Sequence, residues 1–381
     1  MTRWLKRLCV EAEDGLRYNP FARERLCAWK LLRAGRRPPK DSQAAARRVR
    51  DLCAAARLAT NPSRLRRCVE RIRLCLRGLD PARVDWSEFL PDAGDRRLSP
   101  ALIIKPYISE REKGLIYVPF EKEWLRLLAH CDLPAVAERY MLLLGPSSSP
   151  PHNLAFYALP AAFPGFLFTL ISNHDDEAVL PSVVPNATVI PLFASSWVHP
   201  DRFRPLPRGR RDVDLIMVAN FAKFKRHHAL FGALRRMPRG LRVVLIGQDE
   251  PARTAETIRE LARWYGVEGR FDLLTDLPND AVADWLCRSR ASVILSRREG
   301  SCVAVAESLF ADTPAALLED AEVGSRAFIN PATGRLLKGR GLGRQLAAFI
   351  AESDRFTPRK WAEENISCFR SHEILNAAVR R

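Results

Sequence analysis

Short apolar runs alternate regularly with amphipathic segments between residues 213 and 320, and this pattern limits the folds that the chain can adopt. The apolar runs predict strands: VDLIMVAN, LRVVLIG, FDLLTDL, ASVILS and PAALLED. The segments between them repeat apolar residues at helical spacing: KRHHALFGALRRM, ARTAETIRELARWYG, PNDAVADWLCRS and CVAVAESLFA. Because parallel strands need a crossover connection, this alternation predicts a parallel sheet with helices on both faces.

A second α/β region precedes this one. Strands are predicted from ALIIKPY, GLIYVPF, YMLLLGP, FLFTLIS and TVIPLF, and a helix from EKEWLRLLAHC. The stretch HPDRFRPLPRGRRD is rich in Pro and Arg, lacks periodicity and is typical of a linker. A chain of 381 residues is also too long for one ordinary domain. We therefore predict an N-terminal α/β domain over residues 96–205 and a C-terminal α/β domain over residues 206–381.

The remaining residues, 1–95, predict a basic helical extension. Residues 1–80 hold 21 Lys and Arg against 8 Asp and Glu, which is +13 of the chain's +17. Apolar residues recur at helical spacing in DSQAAARRVRDLCAAARLA and NPSRLRRCVERIRLCLRGLD. Such a segment suits an anionic membrane surface, nucleic acid or an acidic partner, and it is equally typical of a solvated Arg-rich surface. It lacks a recognisable nucleic-acid-binding motif, which disfavours nucleic acid.

Cysteine spacing and the N-terminus exclude several protein classes. None of the nine cysteines forms a C-x-x-C pair, so we expect neither a zinc site nor a disulfide framework. Free thiols indicate a reducing cytosol. No apolar run reaches the roughly 18 residues of a membrane span, and MTRWLKRLCVEAEDG lacks the apolar core of a secretory signal. We expect a cytoplasmic protein, with peripheral attachment at the inner membrane through the basic extension.

Cationic residues follow the first strand of the C-terminal region. Asn220, Lys223, Lys225 and Arg226 come directly after this strand, and Gly247 ends the next one. Ligands of open parallel sheets bind beyond the carboxyl ends of the strands. Three cations near a helix start predict a phosphate site there, and Gly247 permits close backbone approach. A solvated basic turn explains the same cations without a ligand.

Two glutamates, Glu299 and Glu307, are separated by seven residues and follow the strand ASVILS. Glu299 is expected in the loop, while Gly300, Ser301 and Cys302 present backbone N–H groups at the start of the next helix. The positive end of the helix dipole suits a phosphate at that point. Glu307 follows about two turns later, roughly 9 Å further at 1.5 Å per residue. Because carboxylates accept hydrogen bonds from hydroxyls, the pattern fits a sugar and a ribose with phosphates between them.

These segments resemble a known family. REGSCVAVAESLFADTPAALLED is similar to the E-x7-E region of retaining GT-B glycosyltransferases of the family-4 type, and LIMVANFAKFKRHHAL is similar to the start of their C-terminal domain. VHPDRFRPLP resembles their linker, and NPATGRLL resembles a later loop. The resemblance covers roughly residues 196–340. It implies an α/β fold with two Rossmann-like domains facing a cleft, and a nucleotide-sugar donor bound by the C-terminal domain.

The resemblance also implies roles for matching residues. Glu299 contacts the donor sugar, Glu307 binds the ribose hydroxyls, and the amides of Ser301 and Cys302 face the phosphates. Lys225 stands in the place of the family's donor-phosphate lysine.

Two positions depart from the family pattern. Asn220 stands where the family has an arginine, so Lys223 or Arg226 is expected to complete the phosphate clamp. Asp312 replaces a glycine that is common in the family. The predicted donor-binding set is completed by Gly247, Gly300 and Val303.

The predicted catalytic residues are Glu299, Lys225 and, in the N-terminal domain, His174 of the segment SNHDD. The family often places a histidine near the donor sugar, although this segment also suits a plain turn. The resemblance implies a hexosyltransferase that retains the anomeric configuration without a metal or another cofactor. The expected acceptor is a glycan or lipid-linked intermediate of cell-surface polysaccharide synthesis. The alternatives are a catalytically weak sugar-nucleotide-binding protein and a nucleic-acid-binding protein.

Overall fold

The computed structural model describes residues 2–35, 38–92, 94–95, 97–98, 101–147, 152–173 and 176–380. Its contacts divide the chain into two compact units. One unit, called the C-terminal unit below, combines Met1–Gly15 with Ser195–Arg381, and the other, the N-terminal unit, is Leu16–Ala194. The predicted boundaries after residues 95 and 205 stay predictions.

Four helices make up the first part of the chain: α1 (Arg3–Tyr18), α2 (Pro20–Arg33), α3 (Ser42–Ala56) and α4 (Pro62–Leu76). The α3 helix begins where the Asp41 side chain accepts a hydrogen bond from the Ala44 amide, and Asn61 caps α4 in the same way. Apolar side chains of α3, among them Val49 and Leu52, are fully buried. The helical prediction for this segment is therefore confirmed, and the apolar stripe of α3 packs inside its own unit.

The N-terminal unit contains a five-stranded sheet in the order of the chain: β1 (Leu102–Lys105), β2 (Gly114–Pro119), β3 (Tyr140–Gly145), β4 (Leu167–Thr169) and β5 (Ala187–Val189). Its helices are α5 (Glu121–His130), α6 (Leu133–Arg139), α7 (Ala155–Ala162) and α8 (Asp176–Val183). The first four strands lie within predicted runs, and β5 begins one residue before the run TVIPLF. The β1 strand pairs antiparallel with β2, while the other pairs are parallel. The short β1–β2 connection explains this, because a parallel pairing needs a crossover of a dozen residues or more.

The C-terminal unit contains a six-stranded parallel sheet: β6 (Val213–Val218), β7 (Val243–Gly247), β8 (Asp272–Thr275), β9 (Ser289–Ile294), β10 (Ala315–Leu318) and β11 (Gly334–Leu337). The strand order is β11-β10-β9-β6-β7-β8. The β11 strand differs from the expectation, because the segment NPATGRLL resembles a loop and its last four residues form this strand. This four-residue edge strand includes Arg335 and is only partly buried, so it lacks the apolar run that reveals a central strand.

Seven helices accompany this sheet: α9 (His227–Leu234), α10 (Ala255–Tyr265), α11 (Asn279–Cys287), α12 (Val303–Phe310), α13 (Leu342–Ala351), α14 (Pro358–Asn365) and α15 (Cys368–Val379). The α10 helix ends at Gly266, whose φ of 64° is left-handed, as its sequence predicts. The strand order places β6 beside both β7 and β9. From β6 the chain runs outward through β7 and β8, and it then returns to β9 on the other side of β6 and runs outward to β11. The strand order therefore reverses at β6, and open α/β sheets bind ligands at such a switch point.

The Arg-rich stretch interpreted as a linker packs on the C-terminal unit. Arg211 is 8% exposed and donates hydrogen bonds to the carbonyl oxygens of Ser289 and Asp312. Arg208 lies 3.3 Å from the Asp312 carboxylate. Asp312 has a φ of 54°, a left-handed conformation that favours glycine. The two arginines hold this turn in place, which explains how aspartate occupies a position where glycine is common.

Candidate functional site

A cavity of about 260 Å³ lies at the carboxyl ends of β6 and β7. The strand ends, the loop after β6, and helices α11 and α12 form its walls. Its lining residues are Val218, Ala219, Asn220, Lys225, Ile246, Gly247, Gln248, Leu277, Asn279, Val282, Ala304 and Glu307. The cavity therefore brings together the predicted residues Asn220, Lys225, Gly247 and Glu307 at the switch point of the sheet.

Lys225 and Glu299 form an ion pair between Nζ and Oε1. Their side chains are only 12% and 13% exposed, so the pair is largely shielded from water. Burial on its own lowers the pKa of Lys225, but the neighbouring Cys302 and Glu299 groups outweigh it and the pKa is raised. Lys225 is thus a cation at neutral pH. The second carboxylate oxygen of Glu299, Oε2, is buried without a hydrogen-bond partner, which leaves it available to a hydroxyl donor.

The loop from Glu299 to Cys302 presents backbone N–H groups at the start of α12. The Glu299 amide donates to the Glu322 carbonyl oxygen. Within the described part of the chain, no protein group accepts a hydrogen bond from the amides of Gly300, Ser301 or Cys302. An anion placed there accepts hydrogen bonds from these N–H groups and interacts favourably with the positive end of the helix dipole.

Cys302 caps α12 with a φ of 24°, which is an unusual conformation for a residue other than glycine. Its thiol is buried beside Glu299, and burial followed by the negative charge of Glu299 raises the pKa of the thiol. The neighbouring Ser301 hydroxyl lies 2.5 Å from the Ser195 hydroxyl and accepts a hydrogen bond from the Ser195 amide. Side-chain contacts thus hold Ser301 and Cys302 with their amides at the helix start.

Glu307 projects from α12 into the cavity. Burial raises the pKa of its carboxyl group, and the charge of Arg202 opposes the shift. In the residues that the structure covers, no hydrogen bond or ion pair engages this carboxylate. It is therefore ready to accept hydrogen bonds from a ligand, which a buried carboxylate requires for stability.

The walls near β7 show why Gly247 is required and where Asn220 points. A Cβ atom on Gly247 lies 2.5 Å from the Ala219 carbonyl oxygen, closer than side chains tolerate. Asn220 donates from Nδ2 to Glu250 Oε1 at 2.5 Å, and its Oδ1 is buried without a partner. The amide side chain is therefore engaged by a carboxylate and supplies no charge to an anion in the cavity.

Two of the predicted cations stand apart from this cavity. Lys223 pairs with Glu13 at 2.9 Å, and both side chains are more than half exposed. Arg226 turns to the other side of the loop, where it pairs with Asp14 and lines a separate cavity of about 270 Å³. His174 lies outside the residues that the structure describes. The predicted roles of all three stay predictions.

Sequence reasoning missed several residues at the site. Gln248 and Asn279 line the cavity, and Arg202 acts on the pKa of Glu307. Gln248 directly follows β7 and Asn279 opens α11 after β8, so their positions behind strands were a usable signal. Arg202 belongs to the stretch interpreted as a linker and carried no such signal.

The site's chemistry is electrostatic. One shielded cation, a helix start and two carboxylates with open acceptor positions can bind an anion flanked by hydroxyls. Within the described ranges, no group of three or more His, Cys, Asp or Glu side chains is arranged to hold a metal ion. Over the same ranges, no helix is both long and apolar enough to cross a membrane.

Comparisons with known proteins identify the fold. No family model matches the sequence, and no curated protein matches it. Among solved structures, Anabaena Alr3699/HepE in complex with UDP is similar, with 14% identity, a TM-score of 0.56, and coverage of 71% of this chain and 79% of that chain.

Two further structures are similar. The same Anabaena protein in complex with UDP-glucose has 14% identity and a TM-score of 0.55, and covers 70% of this chain and 79% of that chain. Sucrose-phosphate synthase from Thermosynechococcus elongatus has 15% identity and a TM-score of 0.55, and covers 85% of this chain and 81% of that chain. These neighbours have the GT-B fold, so the chain has an α/β fold of the GT-B type with an N-terminal helical extension.

Proposed function

We propose that this protein is a retaining glycosyltransferase of the family-4, hexosyltransferase type that takes a sugar from a nucleotide-sugar donor. The observation that carries this proposal is the Lys225–Glu299 ion pair, which lies beside open backbone amides and a cavity containing Glu307. The GT-B fold agrees with such an activity. The UDP and UDP-glucose complexes of the Anabaena protein support a nucleoside diphosphate as part of the donor.

Each part of the donor has a proposed partner. Lys225 and the amides of Ser301 and Cys302 bind the diphosphate, because they supply a cation and unpaired N–H groups. Glu307 accepts hydrogen bonds from the ribose hydroxyls. Glu299 accepts one from a sugar hydroxyl through its free Oε2.

The proposed reaction is substitution at the anomeric carbon on the face that the diphosphate leaves. The bond between the anomeric carbon and the phosphate oxygen breaks, and a bond to the acceptor oxygen forms on the same face. The acceptor proton moves to the departing phosphate oxygen, so no protein nucleophile, metal or other cofactor is needed. Lys225 and the start of α12 stabilise the negative charge that grows on the diphosphate.

A panel of nucleotide sugars tests the proposal. Each compound is added to the purified protein, and the midpoint of thermal unfolding and the hydrolysis or transfer of the sugar are measured. A bound donor raises stability by RT ln(1 + [L]/Kd). We expect Glu299→Ala to abolish turnover, while the matched control Glu364→Ala, on the exposed side of α14, behaves like wild type. Salt-dependent retention of DNA or RNA without donor binding contradicts the proposal.

Asn220 favours a second candidate function, which is sugar-nucleotide binding with little or no turnover. Its side chain is engaged by Glu250, so the site has one cation where the family pattern has two. The loss of one cation weakens the stabilisation of the charge that grows on the departing diphosphate more than it weakens binding of the intact donor. Turnover therefore falls more than donor affinity. A donor that shifts the thermal midpoint but is not consumed with any acceptor identifies this function. Faster turnover in Asn220→Arg would support the same explanation.

We also propose that the protein acts from the cytoplasm on a glycan or lipid-linked acceptor in cell-surface polysaccharide synthesis, and that it attaches to an anionic membrane surface. The α2 helix supports this attachment. Its outward face carries exposed apolar side chains, and Arg25 and Arg33 lie 4.5 Å and 4.7 Å from the rings of Phe21 and Trp29. Aromatic rings paired with cations suit the interface between headgroups and acyl chains.

The α1 helix has a similar outward face. Trp4, Leu5 and Leu8 are 57%, 42% and 37% exposed. Apolar side chains turned outward on a helix with basic residues are typical of attachment to a membrane surface.

Vesicle flotation tests the attachment. We expect the full chain to float with vesicles of phosphatidylcholine and phosphatidylserine at low salt, and to float less with phosphatidylcholine alone. Trp29→Ala reduces the floating fraction, while Phe369→Ala, which removes an aromatic side chain of similar exposure on α15, leaves it unchanged. Equal flotation with both vesicle types, or equal losses in both variants, contradicts the attachment.

A further inference from the structure

The inward face of α1 is polar and attaches this helix to the C-terminal unit. Lys6 lies 3.4 Å from the Glu260 carboxylate and 4.9 Å from the ring centroid of Trp264. Further along, the Tyr265 hydroxyl donates to Glu11 at 3.2 Å. Ion pairs and hydrogen bonds thus attach α1 to α10. Apolar packing contributes little, since none of the described residues of α1 is fully buried.

Further along α1, Asp14 forms a bidentate ion pair with Arg226. Arg226 donates from Nε to Oδ1 at 3.0 Å and from Nη2 to Oδ2 at 2.9 Å. His228 Nε2 lies 3.5 Å from Oδ2. Burial raises the pKa of Asp14, but the hydrogen bonds from His228 and Arg226 outweigh burial and the pKa falls well below its usual range. The Asp14 and Arg226 side chains are 14% and 9% exposed, so this pair is largely buried.

Arg226 connects the two segments that carry the candidate site. It directly follows Lys225 and has a left-handed backbone with a φ of 58°. Its Nη1 donates to the carbonyl oxygen of Leu295 at 3.1 Å, at the end of the strand that leads to Glu299. A single side chain therefore joins the Lys225 loop, the Glu299 loop and the N-terminal helix.

We propose that Asp14 is a positioning residue for the candidate site: through Arg226, it holds Lys225 opposite Glu299. The proposal rests on the proposed function for its effect on turnover. Removing the Asp14 charge takes away the two charge-assisted hydrogen bonds that hold the Arg226 guanidinium against α1, which favours its movement toward water. The left-handed residue next to Lys225 then keeps its hydrogen bond to Leu295 but is no longer held by α1, and misplacing a charge-stabilising group by about 1 Å costs on the order of 10²-fold in rate. The first helix of the chain is thus a working part of the site.

The neighbouring Glu13 provides a matched control. It is also an acidic residue of α1 paired with a cation of the same loop, but the Glu13 and Lys223 side chains are 52% and 56% exposed. An ion pair that is solvated to this extent contributes little to holding a loop. We therefore expect the pair formed by Asp14, and not the one formed by Glu13, to determine the position of Lys225.

The test compares Asp14→Asn, Asp14→Glu and Glu13→Gln in the full chain, with kcat and KM for the donor measured per folded molecule. We expect Asp14→Asn to lower kcat about 10- to 100-fold with a smaller change in donor KM, because Lys225 acts mainly on the charge that develops during transfer. Asp14→Glu recovers most of the rate, and Glu13→Gln matches wild type. Equal rates in Asp14→Asn and wild type overturn the positioning role while leaving the proposed function intact.

A second measurement does not depend on turnover. Thermal midpoints are compared for Asp14→Asn, Lys225→Met and the double variant. We expect the double variant to lose clearly less than the two single losses together, because both substitutions disturb the same loop. Additive losses overturn the positioning role. A wild type that neither binds nor turns over any nucleotide sugar overturns the proposed function, whatever the midpoints show.

Discussion

The Lys225–Glu299 pair allows a quantitative prediction. Lys225→Met leaves the Glu299 carboxylate in a shielded place without its cation, and Glu299→Gln leaves Lys225 without its anion. The double variant Lys225→Met/Glu299→Gln removes both charges. Since a buried charge is costly only when it is unpaired, the double variant is expected to be more stable than either single variant.

The magnitude follows from the burial of the pair. Breaking a fully buried pair costs about 3–5 kcal/mol. The side chains here are 12% and 13% exposed and water reaches them in part, so we expect about 2 kcal/mol for each single variant. The double variant is expected within about 1 kcal/mol of wild type, which gives a coupling energy of about 3 kcal/mol.

Urea unfolding at pH 7.5, followed by circular dichroism, measures these free energies of unfolding. The matched cycle uses Lys223→Met and Glu13→Gln, an exposed pair on the same loop, for which we expect a coupling of less than about 1 kcal/mol. Losses that add within about 0.5 kcal/mol for Lys225 and Glu299 refute the reasoning. In that case the two side chains do not form a shielded pair in solution.

Three further predictions concern the same unit. Gly247→Ala places a Cβ atom 2.5 Å from the Ala219 carbonyl oxygen, so we expect about 1–3 kcal/mol of destabilisation and weaker nucleotide binding. Thermal unfolding with and without UDP measures both effects, and an unchanged unfolding midpoint contradicts this close contact. Burial lowers the pKa of His227 to about 3. The unfolded chain therefore binds a proton that the folded chain does not, and the free energy of unfolding falls as the pH drops from about 6.5 toward 3. Between pH 7 and pH 5, we expect the free energy of unfolding in urea to fall by about 2 kcal/mol less for His227→Gln than for wild type, and equal falls contradict this prediction. Cys302 is 7% exposed, and the pKa of its thiol is raised. We therefore expect iodoacetamide at pH 8 to modify the exposed Cys9 and not to modify Cys302 until the protein unfolds. Peptide mass spectrometry measures the modification of each cysteine.

The buried strands were predictable because each of them forms a recognisable apolar run in the sequence. Apart from Asp214, the run VDLIMV of the central strand β6 is apolar on both faces, and the helix α10 ends at the glycine that closes its pattern. The β11 strand was not predictable in this way, since an edge strand that is exposed on one side carries a weaker apolar signal. The antiparallel pairing of β1 depends on the length of a connection, which the apolar pattern does not encode.

The candidate site was predictable where its residues follow strands. Lys225, Gly247, Glu299 and Glu307 meet near the switch point, because the carboxyl ends of neighbouring parallel strands share one edge. The orientations of the cations in the loop were not predictable. Arg226 turns away from the cavity because Asp14, over 200 positions earlier in the chain, offers it a carboxylate. Sequence proximity to Lys225 carried no information about this partner.

The most direct test of the central claim is a crystal structure of the full chain with UDP. We expect the diphosphate within hydrogen-bond distance of Lys225 and of the Ser301 and Cys302 amides, with the ribose hydroxyls on Glu307. In Glu307→Ala, the affinity for UDP is expected to fall by about 10-fold or more, the equivalent of at least 1.4 kcal/mol. A diphosphate bound elsewhere on the chain, with the cavity between β6, β7 and α12 empty, contradicts the proposed donor site.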